Sequence, residues 1–337
     1  MTTANILTEV TRGQRSESRH TGSIVFANPN GTLLGVIGDR QQSIFPRSAI
    51  KIIQALPLLE SGAADRFQFT PTELALACGS HDGTHQHVAI ANAALQRLGL
   101  SKHALACGGH APFDVLARHD LIRTDQSISP LHNNCSGKHI GMLATALHLG
   151  EAIEGYELAH HQVQNRVRNA VAEVTNTRLS DIIPGIDRGS VPNWPIPLEN
   201  LAIAFARITA GQGFSPERQN AFDRLLSACW EQPEAMAGTK RFDTLMLQRF
   251  PGDIFVKGGA EGVYCGGFRK LGIGFALKID DGAQRAAETV AQTIITRFAD
   301  NADNLSEPTI LRDAQGTAVG DIRPGAALMN VLDRVAI

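Results

Sequence analysis

No charge of one sign dominates this chain of 337 residues: 31 Lys and Arg stand against 33 Asp and Glu, a formal charge of −2. No broad positive field is therefore available to draw in nucleic acid or an anionic membrane surface. No uncharged apolar stretch nears the roughly 20 residues that cross a bilayer, the longest, 140–149, being about half that. Cysteine is sparse and odd in number, Cys78, Cys107, Cys135, Cys229 and Cys265, with no C-x-x-C pair, and the start of the chain has no basic-then-apolar signal pattern. Reduced thiols in a cytoplasmic protein are the expectation. Repeats, linkers and low-complexity tracts are also missing. What remains, 43% apolar and 19% charged residues, excludes a disordered, collagen-like or coiled-coil chain and points to a globular protein with a small-molecule partner.

Two β-prone runs, 23–27 and 32–37, flank Asn28-Pro29-Asn30-Gly31 and predict a hairpin. From Ser48 to Glu60, Ile50, Ile53, Leu56 and Leu59 recur at helical spacing, with Pro57 a kink or stop. Helical patterns follow: a capping box at Thr70-Pro71-Thr72-Glu73, and amphipathic segments near 84–98, 138–149 with Gly150 as its stop, 157–175, 198–210 and 216–231. Strand patterns return at 253–256, 262–266 and 272–279, before a helix at 283–299 and a short strand at the end. This order predicts an α/β (α+β) fold in one domain, its sheet built from both chain ends (about 1–60 and 250–337) around a helical insertion (about 61–249).

The sharpest chemical pattern is Ser48-x-x-Lys51 at a helix start, where two residues three apart share a face. A neutral lysine amine can take a serine proton, and this spacing is one recurring form of that nucleophilic couple. A free lysine has a pKa of about 10.4, so a base working near neutrality is held down by burial or a second cation at a cost of about 4 kcal/mol. Lys257, at the end of a strand before small residues, is the candidate second cation; Ser80, in Ala77-Cys78-Gly79-Ser80-His81, is a second hydroxyl able to relay a proton. A capping Ser and solvated lysines are the plain alternatives. Asn133-Asn134-Cys135-Ser136-Gly137-Lys138-His139 opens a helix with polar groups but is not a phosphate-binding loop, having His132 and His139 where Gly and Ser or Thr are needed. His81, His85 and His87 read as helix-surface histidines rather than a metal site.

Six segments in order, Pro46–Lys51, Ala77–His81, Ala106–His110, Asn134–His139, Lys257–Gly262 and Ala276–Gly282, strongly resemble the asparaginase II family of the Rhizobium etli type over nearly the whole chain. The resemblance implies a fold similar to serine β-lactamases, penicillin-binding proteins and glutaminases, a homodimer, and hydrolysis of L-asparagine to L-aspartate and ammonia. By that resemblance Ser48 is the nucleophile, Lys51 its base, Ser80 with Lys257 a second Ser-Lys couple, and Arg47, Asp187 and His139 the substrate-binding residues. A guanidinium and a carboxylate suit the two fixed charges of an α-amino acid. The oxyanion would then be held by backbone N–H groups near Ser48.

One departure stands out. Similar family members hold zinc with the Cys and Lys of the N-C-S-G-K segment, here Cys135 and Lys138, and a second Cys whose position is Gly189 in this chain. Losing a thiolate weakens a zinc site, so zinc is expected to be weak or absent and not required as a cofactor. Two other readings remain: a glutaminase or other serine amidase of the same fold, and a non-catalytic amino-acid or zinc-binding sensor.

Overall fold

The computed structural model describes residues 5–302, 305 and 307–335. Along the chain run β1 (Ile6–Arg12), β2 (Arg15–Ala27), β3 (Leu33–Ile37) and β4 (Ser43–Ile44), then a 3-10 turn (Arg47–Ile50) leading into α1 (Lys51–Gln54). There follow α2 (Leu56–Glu60), α3 (Ala63–Arg66), α4 (Pro71–Ala77), α5 (His85–Arg97), α6 (Val115–Arg123), α7 (Ser136–His148) and α8 (Gln162–Val174). Short strands β5 (Gly185–Ile186), β6 (Pro192–Asn193) and β7 (Ile196–Pro197) precede α9 (Leu198–Ala210), α10 (Pro216–Glu231), α11 (Pro233–Met236) and α12 (Phe242–Arg249). The chain then forms β8 (Ile254–Gly259), β9 (Val263–Phe268), β10 (Ile273–Ile279), α13 (Gln284–Phe298), β11 (Thr309–Arg312), β12 (Ala318–Pro324) and α14 (Ala326–Leu332). No helix among the described residues is long and apolar enough to cross a membrane.

The fold is mixed α/β, with a sheet drawn from both ends of the chain. Two compact units divide it: residues 1–49, 196–210 and 256–337 form a sheet unit, and residues 50–195 and 211–255 a helical one. The sheet has the order β11-β12-β1-β2-β10-β9-β8, with β3 paired to β2, and the pairings from β11 through to β9 and that of β3 with β2 are antiparallel. Alternation along β10 settles what covers it. Gly274, opposite Gly267 on β9, lets the α9 backbone approach so closely that a Cβ would lie 2.2 Å from the Ala206 nitrogen. The next residue, Phe275, joins Phe26, Phe268 and Phe298 of α13 in an aromatic cluster with centroids 5.7–6.5 Å apart. Helices α9 and α13 therefore bury opposite faces of the strand.

In the helical unit α4 packs against α7 and α10. The expected capping box closes α4: Thr70 Oγ1 accepts from Glu73 N at 3.3 Å, and Glu73 Oε2 accepts from Thr70 N at 2.8 Å. Several expectations need correcting. The hairpin strand starts eight residues earlier than its apolar run, because Arg15–Gly22 carries the polar, exposed half of β2 that pairs with β1. The segment 48–60 is not one helix but a 3-10 turn, α1 and α2, with Pro57 in the first turn of α2. The 157–175 pattern becomes helical only at Gln162, and the strand expected near the chain end is present as β11 and β12 but is followed by the unforeseen helix α14.

Candidate active site

In the sheet unit, Arg47 and Ser48 open the 3-10 turn, both half-buried. Arg47 has φ +54°, a left-handed conformation that costs a non-glycine residue about 1–3 kcal/mol and tends to persist at functional positions. The end of β8 runs against this turn: a Cβ on Gly259 would sit 2.7 Å from the Pro46 carbonyl. Lys257, two residues earlier, is 1% exposed, and its Nζ donates to the Gly258 carbonyl at 2.9 Å.

In the helical unit, Lys51 is fully buried. Its Nζ donates to the carbonyls of Gly79 at 2.5 Å and Asn134 at 3.1 Å, and lies 3.0 Å from Ser80 Oγ. Two carbonyls can only accept, so each takes an amine hydrogen, and the Ser80 hydroxyl is a further neighbour of the nitrogen. There the ammonium donates and the neutral amine accepts. Both carbonyls are themselves held. Ser80, just beyond α4, donates its N–H to the Met236 carbonyl at 2.9 Å; His110 donates from Nδ1 to the Ala111 carbonyl at 2.8 Å and accepts at Nε2 from Asn134 N at 3.0 Å. Asn133 ties the same loops together, donating to the Cys107 and Gly108 carbonyls and accepting from Cys135 N.

Beside this lies an ion pair. Lys138 Nζ donates to Asp187 Oδ2 at 2.6 Å, and Asp187 Oδ1 accepts the N–H groups of Gly189 at 2.8 Å and Val191 at 3.2 Å. Burial pushes the Asp187 carboxyl up, but Lys138 and the backbone donors outweigh it and hold the pKa below the usual carboxylate range. Burial likewise disfavours charge on Lys138, while Cys135 and Asp187 more than restore it, so its pKa is raised. His139, fully buried, is held neutral, its pKa pulled down to about 3 by burial and then by Lys138. Its Nδ1 is 2.6 Å from Tyr156 Oη, and burial pushes that phenol's pKa up.

These residues do not fit zinc. Position 189 does face Cys135, since a Cβ there would lie 3.2 Å from the Cys135 Sγ, but glycine supplies no donor. Lys138, paired with the Asp187 carboxylate, offers a lone pair only on losing a proton. Among the described residues no group of three or more His, Cys, Asp or Glu could hold a metal ion.

The histidine expectation needs correction, because only His85 is on the surface. His81 is fully buried ahead of α5: Nδ1 accepts from Gly83 N at 3.1 Å, so Nε2–H donates to Ser136 Oγ at 2.8 Å. His87 stacks on it at 4.8 Å. Burial lowers the pKa of both. Sequence reasoning also gave no role to Asn133, His110 or Tyr156. The first two lie inside or beside the motifs already quoted, whereas no local pattern marks Tyr156.

Among solved structures, the chain is similar to Mglu in its native form, at 12% identity over 87% of this chain and 69% of that one, with a TM-score of 0.42. It is similar also to a class C beta-lactamase in complex with cefoxitin, at 11% identity over 79% and 90% of the two chains, with a TM-score of 0.40. Likenesses of this size decide nothing about activity. A comparison with curated protein sequences finds no match. The model of the L-asparaginase II family, in contrast, matches residues 8–324, nearly the full length, and the six motif segments all fall inside that span. The chain belongs to the L-asparaginase II family of hydrolases.

Proposed function

We propose that this protein is an L-asparaginase that hydrolyses L-asparagine to L-aspartate and ammonia through a serine nucleophile, without a required metal. The observation that carries the reading is Lys51: fully buried, its nitrogen meets two backbone carbonyls and the Ser80 hydroxyl. That geometry supports a proton acceptor and donor rather than a surface cation. In this reading Ser48 Oγ attacks the side-chain amide carbon while Lys51 takes its proton. The tetrahedral intermediate collapses by breaking the C–N bond, and ammonia leaves with a proton passed through Ser80. Water then attacks the aspartyl ester, giving aspartate and returning the hydroxyl.

In this reading Lys257 is the second cation, and positive charge favours the neutral form of an amine. Arg47 and ionised Asp187 take the substrate's α-carboxylate and α-amino groups, and His139 adds a contact. Asp187 has one acceptor site left after Lys138 and two backbone N–H groups, and an ammonium suits it. A cytoplasmic homodimer completes the proposal, the location being consistent with five buried cysteines that form no disulfide.

Ammonia release by the purified protein tests this. With L-asparagine, kcat/KM at least about tenfold above that with L-glutamine is expected, since a snug polar pocket discriminates one methylene by about 1–3 kcal/mol. The reverse order means a glutaminase. Calorimetric binding of asparagine with no ammonia means a sensor. Light scattering reads the dimer.

A further inference from the structure

His139 has a ring nitrogen with no use in the fold. Its Nε2 is buried with no partner in hydrogen-bonding geometry, although the Gly189 backbone acts on the charge of the ring. The opposite nitrogen is engaged. Tyr156 Oη accepts from Ala106 N at 3.0 Å and sits 2.6 Å from His139 Nδ1, edge-on to the imidazole at 81°. A backbone N–H can only donate, so one lone pair of the Tyr156 oxygen is taken. Its own proton then needs an acceptor, and His139 Nδ1 is the one within reach. Were Nδ1 protonated instead, the hydroxyl proton would be buried with no acceptor, which is costly. The arrangement therefore selects the neutral tautomer with the hydrogen on Nε2.

Lys138, Asp187, Lys51 and the Gly189 backbone all act electrostatically on this ring, and a Cβ on Gly189 would already touch both Asp187 Oδ1 and Cys135 Sγ. A buried, unpartnered donor beside a substrate-binding carboxylate has a recognisable complement. It is an oxygen acceptor on the same molecule that brings an ammonium to Asp187.

We infer that Tyr156 is a positioning residue that holds His139 as an Nε2–H donor toward an oxygen of the α-amino-acid substrate, so that binding needs an ammonium and an acceptor oxygen together. This rests on the asparaginase reading for the substrate, though not for the tautomer.

The test combines spectra with kinetics. In long-range 1H–15N spectra of histidine-labelled protein, with His139 assigned by its loss in His139→Gln, Nδ1 should appear unprotonated and Nε2 protonated. Tyr156→Phe should lose that fixed pattern and raise KM for L-asparagine about tenfold, with kcat within about twofold. His139→Gln keeps a donor that needs no tyrosine. Adding Tyr156→Phe to it should leave KM unchanged, whereas a merely structural tyrosine would raise KM equally in both backgrounds. A protonated Nδ1 in the wild type, or equal effects of Tyr156→Phe in the two backgrounds, overturns the inference even if asparagine is hydrolysed. A wild type that releases no ammonia overturns the asparaginase reading and the substrate contact with it, while the spectra still decide the role of Tyr156.

Discussion

The two units are cohesive for different reasons. In the sheet unit, specificity comes from shape: facing glycines on β9 and β10 admit α9, and four phenylalanines fill the other face against α13. In the helical unit, a polar cluster is set into an apolar interior, with Lys51, His81, Asn133, Ser136, Lys138 and His139 all buried and hydrogen-bonded to fixed partners. Apolar packing stabilises at about 25 cal/mol per Å² regardless of which groups meet, whereas a buried polar group costs free energy unless each partner is in place. A fold that retains so many such groups has them for chemistry rather than cohesion.

The contrast can be broken from either side. Lys51→Met should lower kcat for ammonia release by about 10³-fold or more while leaving the protein folded, because it removes the proton acceptor and replaces a polar group by one of similar volume. Circular dichroism beside the kinetics checks both halves. Phe275→Ala should do the reverse, costing about 3–5 kcal/mol in urea unfolding with kcat per folded molecule little changed.

Lys138→Met leaves the buried Asp187 carboxylate without its counter-charge, at about 3–5 kcal/mol, most of which Lys138→Met with Asp187→Asn should restore. The same pair sets an acid limb. Because the folded pKa of Asp187 lies below its unfolded value of about 3.9, its contribution is complete above that pH and is lost as pH falls through the lower folded value. Stability measured between about pH 5 and pH 2 should fall less in the neutral double variant than in the wild type.

The smallest change is Gly189→Cys. It places a thiol against Cys135 and should tighten zinc binding by at least about tenfold in calorimetry. Unchanged zinc affinity would mean that the glycine is not what separates this chain from zinc-holding relatives.

Much of this was legible in the sequence where the signal is local. Thr70 and Glu73 form the capping box their spacing predicts, and helices 198–210 and 216–231 keep their expected bounds. Lys51 and Ser80, quoted from motifs 29 residues apart, share a hydrogen bond. What escaped depends on distant partners. The polar half of β2 has no apolar alternation to announce it, and only pairing with β1 makes it a strand. His81 has the look of a surface histidine until Gly83 and Ser136 satisfy both of its nitrogens in the interior. Tyr156 matters only because the chain returns it to Ala106 and His139.

The central claim is that a serine hydroxyl and a buried amine carry the hydrolysis, and ammonia release from L-asparagine by Ser48→Ala beside the wild type tests it most directly. The account predicts turnover in the wild type and a loss of about 10³-fold or more in the variant, with fold and substrate binding retained. A Ser48→Ala protein releasing ammonia at the wild-type rate would contradict it.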